Sequence, residues 1–399
     1  MVKFRKSDRT EAISLSEIVQ ISESASKMKA QGHDILALST GEPDFQTPTH
    51  ICDAAVEAMQ LGQTRYTPTA GTLALRKAIT DDATFEATPE NVIVSTGAKQ
   101  VLANIFLATL NDGDEVIMPT PYWTSYSDIV TVAGGVPVLV CCGPDQGFKM
   151  TPEQLDAAIT PKTRWLLINS PSNPTGAMYT HDELQALAGV LVNHPHVWIA
   201  SDEIYQHLSY VPFTSFRQAA PELAERTIIV NGVSKAHSMT GWRIGWGIGP
   251  VDLIKAMITV QGQITSGACS IAQAAAVAAL SGPKDHIAER LAIFLSRREM
   301  IVQALNAIPG ISCPVPDGAF YVFPSCAGLI GSRTPVGVVI ENDADFCAFV
   351  LAIAGLAIVP GRAFGQPNHF RLSFAYSDAD LKDGCSRIKN AVSRLSLPH

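Results

Sequence analysis

Two side chains of opposite charge lie just after predicted strands, and one of them is an amine that could act as a nucleophile. Asp202 follows the apolar run 197–200, and Lys235 follows the run 227–230. Carboxyl ends of parallel strands meet at one edge of an open α/β sheet, where such sheets bind ligands, so we expect both side chains to face one pocket. A lysine that is partly desolvated there loses proton affinity and becomes a nucleophile toward carbonyl groups, which is what a Schiff base requires.

Both residues also have ordinary structural interpretations. Asp202 could cap the helix that follows its strand, and Lys235 could form a plain ion pair with Asp202. Residues 234–245 weaken the ion-pair interpretation, because they read Ser-Lys-Ala-His-Ser-Met-Thr-Gly-Trp-Arg-Ile-Gly and put a hydroxyl, an amine and a guanidinium in one loop. Ser234 and Arg243 are candidates for sharing a phosphate, since the planar fork of arginine suits bidentate phosphate contacts.

The elements that must position these groups alternate between short apolar runs and helical patterns. Thr151 with Gln154 and Thr180 with Glu183 have the spacing of capping boxes and predict two helix starts. A further helix is predicted from about residue 98, with its N-terminus at the sheet edge. This alternation predicts an α/β fold with a largely parallel sheet. The predicted strands cover residues 92–94, 115–118, 165–168, 197–200, 227–230 and 244–247.

Charge and hydropathy exclude several classes of partner. The chain has 399 residues and a formal charge of −8, and no basic block stands out, so we expect no nucleic-acid partner. The longest apolar stretch, 348–359, is shorter than the roughly 20 residues of a membrane helix and predicts buried core instead of a membrane contact. Residues 1–10 lack an apolar signal core, so we expect a cytoplasmic protein.

The eight cysteines are scattered and form no Cys-x-x-Cys pair. Buried free thiols are therefore the expectation, and no structural metal site is predicted. Cys141 and Cys142 are adjacent, and their redox state stays open.

Short motifs along most of the chain resemble class I aminotransferases of fold type I, in the aspartate aminotransferase branch. They occur in the family's order, and jointly they are specific although each alone is weak. The motifs are Gly41-Glu42-Pro43-Asp44-Phe45, Tyr66 with Ala70-Gly71, Gly97-Ala98-Lys99-Gln100, Pro121-Tyr122-Trp123, Asn173-Pro174-Thr175-Gly176, Ser201-Asp202-Glu203-Ile204-Tyr205, the 234–245 loop, and Arg371-Leu372-Ser373.

The resemblance implies pyridoxal 5'-phosphate (PLP) as cofactor. Lys235 would bind PLP as a Schiff base and then move the proton at the substrate's α-carbon. Asp202 would keep the pyridine nitrogen protonated, while Tyr205 and Asn173 would hydrogen-bond the ring's phenolic oxygen. Trp123 would stack on the ring, although core packing is its ordinary alternative.

The same resemblance implies sites for the phosphate and the substrate. Arg371 would clamp the substrate's α-carboxylate, with a surface salt bridge as its ordinary alternative. Trp123, the backbone of Gly41 and the amide of Asn173 would complete the substrate site. The phosphate would be held by Gly97, Ala98, Lys99, Ser234 and Arg243.

The family resemblance also implies two domains and a homodimer with shared active sites. The large PLP-binding domain would span 47–290 and hold a mostly parallel seven-stranded sheet flanked by helices. A smaller α/β domain would combine 1–46 with 291–399. Tyr66 would reach the phosphate in the neighbouring subunit.

Few residues bear on the choice of substrate. By the same resemblance, Lys99 and Ser16 would help to hold the distal carboxylate of an acidic substrate, whereas Ile18 stands where aspartate-like members often carry threonine. We expect ping-pong transfer between aspartate or glutamate and 2-oxoglutarate or oxaloacetate, with aromatic or neutral amino acids as the alternative. Lys99 could also serve only the phosphate side. Another PLP reaction, such as a β-lyase or a synthase, uses the same core residues and stays open.

Overall fold

The computed structural model describes residues 4–13 and 17–397, and a seven-stranded sheet dominates it. The strands are β1 (Leu36–Ala37), β2 (Val92–Thr96), β3 (Glu115–Thr120), β4 (Val136–Cys141), β5 (Thr163–Asn169), β6 (Trp198–Asp202), β7 (Thr227–Gly232), β8 (Ile244–Ile248), β9 (Tyr321–Val322), β10 (Leu356–Ala357), β11 (Val359–Pro360) and β12 (Phe370–Ser373).

The described residues also form α-helices of 4 to 22 residues. They are α1 (Asp8–Glu11), α2 (Glu17–Ala30), α3 (Thr49–Gln60), α4 (Leu73–Asp82), α5 (Ala98–Thr109), α6 (Ser125–Val132), α7 (Pro152–Ala158), α8 (His181–Val192), α9 (Phe216–Ala219), α10 (Val251–Ile264), α11 (Ser270–Ser281), α12 (Asp285–Asn306), α13 (Asp343–Ala354) and α14 (Asp378–Val392).

The large sheet has the order β2-β8-β7-β6-β5-β3-β4. Neighbours from β7 to β4 pair in parallel, whereas β8 is antiparallel to both β7 and β2. Strands β5, β6 and β7 therefore end at one edge, and the chain turns back there through residues 233–243 to enter β8. This edge is where the sequence predicts the reactive groups.

Apolar layers cover both faces of this sheet. One core contains Phe106 of α5 and Met257 of α10, and the other contains Leu155 of α7 and Leu187 of α8. Each helix buries its apolar stripe against the alternating side chains of the strands, as expected for an α/β fold.

The remaining elements form a smaller α/β assembly. It contains the three-stranded sheet β11-β12-β9 and the parallel pair of β1 and β10. A separate core, which includes Leu38, Phe294, Phe346, Phe374 and Leu381, joins these strands to α12, α13 and α14.

The predicted α/β class with a mostly parallel seven-stranded sheet is confirmed, and each of the six predicted strands lies within or overlaps an observed one. Thr151 and Thr180 form the expected capping boxes at α7 and α8. Strand β4 has no counterpart among the predicted strands. Pro137 of β4 has no backbone N–H to donate to a neighbouring strand. This is tolerated because β4 is the outermost strand of the sheet and pairs only with β3.

The apolar stretch 348–359 is divided between the end of α13 and strands β10 and β11. Across residues 4–13 and 17–397, no helix combines the length and apolarity that a membrane crossing requires.

Candidate active site

A cavity of about 360 Å³ opens at the carboxyl ends of β5, β6 and β7, beside the N-terminus of α5. This volume is within the range of sites for small molecules and cofactors. Most of the site residues that the sequence predicts line it: Gly41, Ala98, Lys99, Trp123, Asn173, Asp202, Tyr205, Ser234, Lys235, Arg243 and Arg371.

Lys235 lies in the turn after β7, with its amine buried in the cavity. Its Nζ donates to the carbonyl oxygen of Gly41 at 2.8 Å. The plain ion pair with Asp202 is therefore not the contact that the structure shows. Burial lowers the pKa of the Lys235 amine to about 8, and the nearby Arg371 guanidinium adds to this effect. With this pKa about a tenth of the amine is neutral, and therefore nucleophilic, at pH 7.

Asp202 is the last residue of β6, and its carboxylate is buried. Oδ2 accepts from the Tyr126 hydroxyl at 2.7 Å, and Oδ1 accepts from the backbone N–H of Ile204 at 3.2 Å. Burial raises the pKa of the Asp202 carboxyl to about 6, although both hydrogen bonds act in the opposite direction. The carboxyl is therefore mostly ionised at pH 7, and a buried anion of this kind favours a cationic partner.

The start of α5 forms a cradle for an anion. Gly97 precedes the helix with φ 82°, and a Cβ at this position would lie 2.5 Å from Nη2 of Arg243. A Cβ on Gly245 would lie 2.2 Å from the backbone nitrogen of Ala98. Strand β8 and helix α5 are therefore so close here that only glycine fits at position 245. Ser234 and Arg243 face the same N-terminus, where the backbone N–H groups and the helix dipole favour negative charge.

Arg371 comes from β12 and is 2% exposed, which excludes the surface salt bridge considered from the sequence. Nη1 donates to Oδ1 of Asn173 at 2.9 Å, and Nη2 donates to the carbonyl oxygen of Ser39. The guanidinium carbon lies 4.6 Å from the ring centre of Tyr321 and 4.9 Å from that of Phe364. Among the described residues, Nε is buried without a partner. A fixed, dry guanidinium of this kind suits a carboxylate ligand.

Aromatic side chains form much of the remaining wall. The hydroxyls of Tyr205 and Tyr321 are hydrogen-bonded at 2.9 Å. Trp123 packs edge-on against Tyr126, with ring centres 5.4 Å apart, and Lys99 Nζ lies 4.7 Å from the Trp123 ring centre. Burial and the charge of Arg243 lower the pKa of the Lys99 amine, while Asp128 acts against this.

Two of the predicted site residues do not line the cavity. Gly97 lies just outside it, against Arg243. Tyr66 is 98% exposed and lies at a separate surface groove beside residues 265–271. Ile18 does line the cavity, whereas Ser16 lies outside the described residues.

Tyr126, Tyr321 and Asn169 also line the cavity, although they are not among the site residues predicted from the sequence. Asn169 donates to the backbone oxygen of Asp202 at 2.9 Å and accepts from the backbone N–H of Asn173 at 2.8 Å. Asn169 has a detectable signal, because it directly follows a predicted strand. Tyr126 and Tyr321 have none, since only the tertiary fold brings their hydroxyls to Asp202 and Tyr205.

Over residues 4–13 and 17–397, no group of three or more His, Cys, Asp or Glu side chains is placed to hold a metal ion. All eight cysteines are free thiols; Cys141 is exposed and Cys142 is buried.

Comparison with known proteins places this architecture in one family. The family model "Aminotransferase class I and II" matches residues 33–388. An aspartate aminotransferase of Rhizobium meliloti (strain 1021) is 50% identical, over 98% of this chain and 97% of the relative. An aspartate/prephenate aminotransferase of Cereibacter sphaeroides is 48% identical, over 98% and 99% of the two chains.

Solved structures agree with the sequence relatives. The crystal structure of the aspartate aminotransferase from Rhizobium meliloti superposes with a TM-score of 0.97 at 50% identity, covering 99% of this chain and 100% of the other. The aspartate aminotransferase of Thermus thermophilus with maleate gives a TM-score of 0.90 at 39% identity, covering 98% and 100%.

Proposed function

We infer, since this chain belongs to the aminotransferase class I and II family, that it is a transaminase in which Lys235 covalently holds PLP. The reaction moves an amino group between an L-amino acid and a 2-oxo acid by a ping-pong mechanism. The observation that carries this proposal is the presence of the Lys235 amine and the buried Asp202 carboxylate in a single cavity that also holds the buried Arg371 guanidinium.

The residues present fit PLP in charge and shape. The glycine-dependent cradle at the start of α5, with Ser234 and Arg243, suits its phosphate. When bound, PLP supplies a ring that accepts electrons from the substrate's α-carbon. Asp202 would face the pyridine nitrogen and stabilise its protonated form, and the Tyr126 hydrogen bond would keep that carboxylate charged. Trp123 would lie against the ring.

Lys235 would take and return the proton at the substrate's α-carbon, because its lowered pKa suits both tasks near neutral pH. Arg371 would bind the α-carboxylate through its planar fork. Asn173, which already accepts from Arg371, would keep that fork in one orientation while its amide assists cofactor or substrate binding. Tyr205, paired with Tyr321, would supply a hydroxyl for the ring's phenolic oxygen.

For the substrate we propose aspartate or glutamate with its 2-oxo acid, which is supported by the names of the relatives and by the Lys99 amine in the cavity. A second candidate is a bulkier, ring-bearing 2-oxo acid such as prephenate. The Cereibacter sphaeroides relative carries prephenate in its name, and Ile18 adds apolar surface to the cavity wall.

We also propose a homodimer with shared active sites and the domain division given above, 47–290 against 1–46 with 291–399. The exposure of Tyr66 in the single chain is consistent with a contact in trans. The seven strands of the large sheet all fall within 47–290, and most members of the core that includes Phe294 fall within 291–399, which supports the boundary near 290.

The function is tested by reducing the yellow holoenzyme with borohydride and locating the modified lysine by peptide mass spectrometry. We expect the cofactor on Lys235, and we expect Lys235→Ala to lose turnover by at least about a thousandfold. In parallel, a panel of amino acids should yield the 2-oxo acid and the aminated cofactor together. Labelling of another lysine, or release of ammonia in place of the aminated cofactor, would contradict the proposal.

A further inference from the structure

The guanidinium of Arg290 connects two chain segments that meet at the active site. Arg290 lies in the second turn of α12. Its Nη1 donates to the Ser238 hydroxyl at 3.1 Å and to the carbonyl oxygen of Ala236 at 3.4 Å. Its Nη2 donates to the carbonyl oxygen of Gln46 at 2.6 Å. One side chain therefore holds both the loop after β7 and the segment that follows Gly41.

These two segments carry the partners of the central contact of the cavity. Ser238 is three residues after Lys235, and Gln46 is five residues after Gly41, whose carbonyl oxygen accepts from Lys235 Nζ at 2.8 Å. A second hydrogen bond joins the same two segments next to Arg290: the Thr47 hydroxyl donates to the carbonyl oxygen of Ser238 at 2.7 Å.

The backbone at Ser238 indicates that this loop is held by its surroundings. Ser238 has φ 52°, a left-handed conformation that a non-glycine residue keeps only where neighbouring contacts fix it. Its three polar groups are all engaged: the hydroxyl accepts from Arg290, the carbonyl accepts from Thr47, and the N–H donates to the carbonyl oxygen of Lys235 at 3.3 Å.

We propose that Arg290 is a positioning residue. Its hydrogen bonds hold the segment that carries the Gly41 carbonyl against the Lys235 loop, and this contact excludes water from the Lys235 amine. Arg290 acts through the two segments it joins and touches no reacting group. The proposal rests on the proposed function for its relevance to catalysis, but the arrangement itself is a property of the cofactor-free chain.

The state of the Lys235 amine reports on this arrangement. Burial is the main cause of its lowered pKa, and the charged groups that face it are Arg371, Glu42, Asp202 and Arg243. Loss of the Arg290 contacts would leave the Thr47 hydrogen bond in place but loosen the contact between the two segments and admit water, while these four charges would remain. The pKa of Lys235 should then rise from about 8 toward its ordinary value.

The test uses the apoenzyme and measures the pKa of Lys235 from the pH dependence of its acetylation by isotope-paired acetic anhydride, read by peptide mass spectrometry. Arg290→Met keeps the aliphatic stem and removes the donors, and we expect the pKa of Lys235 to rise by about one unit. Arg298→Met is the matched control. Arg298 lies on the same helix, donates to the Pro316 carbonyl at 3.0 Å and stacks on Tyr210 at 4.6 Å. It should leave the pKa of Lys235 unchanged.

Ser238→Ala tests the same contact if Arg290→Met fails to fold, since it removes only the hydroxyl that Arg290 binds. We expect a rise in the pKa of Lys235 in the same direction, and no further rise in the double variant beyond that of Arg290→Met. An unchanged pKa in both single variants, or an equal shift in Arg298→Met, would overturn the proposal. These results do not depend on which lysine borohydride labels, so failure here is distinct from failure of the proposed function.

Discussion

The hydroxyl of Tyr126 donates to Oδ2 of Asp202 at 2.7 Å, and this contact joins the first turn of α6 to the end of β6. The acceptor is a carboxylate whose burial alone would favour the neutral form. The phenol therefore helps to keep a negative charge where the proposed function needs one. Tyr126 is buried as well, so water cannot easily replace this donor.

Tyr126→Phe should make cofactor binding more sensitive to acid. The hydrogen bond lowers the pKa of Asp202 against the larger effect of burial, so removing it raises that pKa above about 6. Binding that needs the carboxylate is present above this pKa and is lost as the pH falls through it. Titration of PLP into apoenzyme across a pH series should thus show loss at a higher pH in the variant.

Tyr122→Phe is the control for this experiment, because the Tyr122 hydroxyl donates to Ser127 at 3.0 Å. Its binding curve should follow that of the wild type. If Tyr126→Phe and the wild type lose PLP at the same pH, the phenol does not set the charge of Asp202.

Gly41→Ala should disturb the lysine contact although it adds one methyl group. A Cβ at this position would lie 2.1 Å from the Tyr321 hydroxyl, so the backbone or the tyrosine must move. The Gly41 carbonyl then loses its place against Lys235 Nζ. We expect kcat/KM for the amino acid to fall by about tenfold or more, by analogy with other overpacked sites. Gly41→Ala/Tyr321→Phe removes the clashing hydroxyl and should recover part of the loss. No change in Gly41→Ala would show that this position has room.

Arg371→Ala should impair the amino-acid half-reaction much more than it impairs PLP affinity. The side chain offers two hydrogen bonds to the carboxylate. Each hydrogen bond to a charged group contributes roughly 1.5 to 3 kcal/mol, so loss of both should lower kcat/KM by about a hundredfold or more. Stopped-flow measurement of the half-reaction and a PLP titration separate the two effects. A collapse of PLP binding with an unchanged half-reaction rate would assign Arg371 to the cofactor instead.

The sequence predicts this fold well where local patterns carry the information. Capping boxes at Thr151 and Thr180, and the apolar runs that became β5, β6 and β7, depend on nearby residues and are visible without tertiary structure. The same runs bring Asp202 and Lys235 to one edge, because parallel strands end together. The partners of these groups cannot be found this way. Tyr126 reaches Asp202 and Tyr321 reaches Tyr205 only through packing between distant segments.

Tyr66→Phe should weaken cofactor retention without changing the fold of the single chain. The side chain is 98% exposed and lies away from its own cavity, so the proposed role requires a second subunit. Light scattering should give a dimer for both wild type and variant, and dialysis against PLP-free buffer should deplete the variant faster. A stable, fully active monomer would rule out the shared site.

Lys99→Ala decides between an acidic and a neutral substrate. The Lys99 amine lies 4.7 Å from the Trp123 ring centre in the cavity, where it could bind a second carboxylate of the substrate. Burial and Arg243 lower its pKa while Asp128 supports its charge, so an anionic ligand would stabilise the protonated form. The alternative is that Lys99 contacts only the phosphate of the cofactor, in which case kcat/KM would fall equally for all substrates.

The measurement is kcat/KM for aspartate, glutamate, phenylalanine and alanine in wild type and Lys99→Ala. Loss of one hydrogen bond to a charged group corresponds to roughly 1.5 to 3 kcal/mol, so the two acidic substrates should lose about tenfold or more relative to the neutral ones. Lys255→Ala, a surface change in α10, should alter none of the four values. Equal losses on all four substrates would assign Lys99 to the phosphate. Ile18→Thr provides the converse test, because a hydroxyl in place of apolar wall should favour aspartate over phenylalanine if the acidic side chain lies against residue 18.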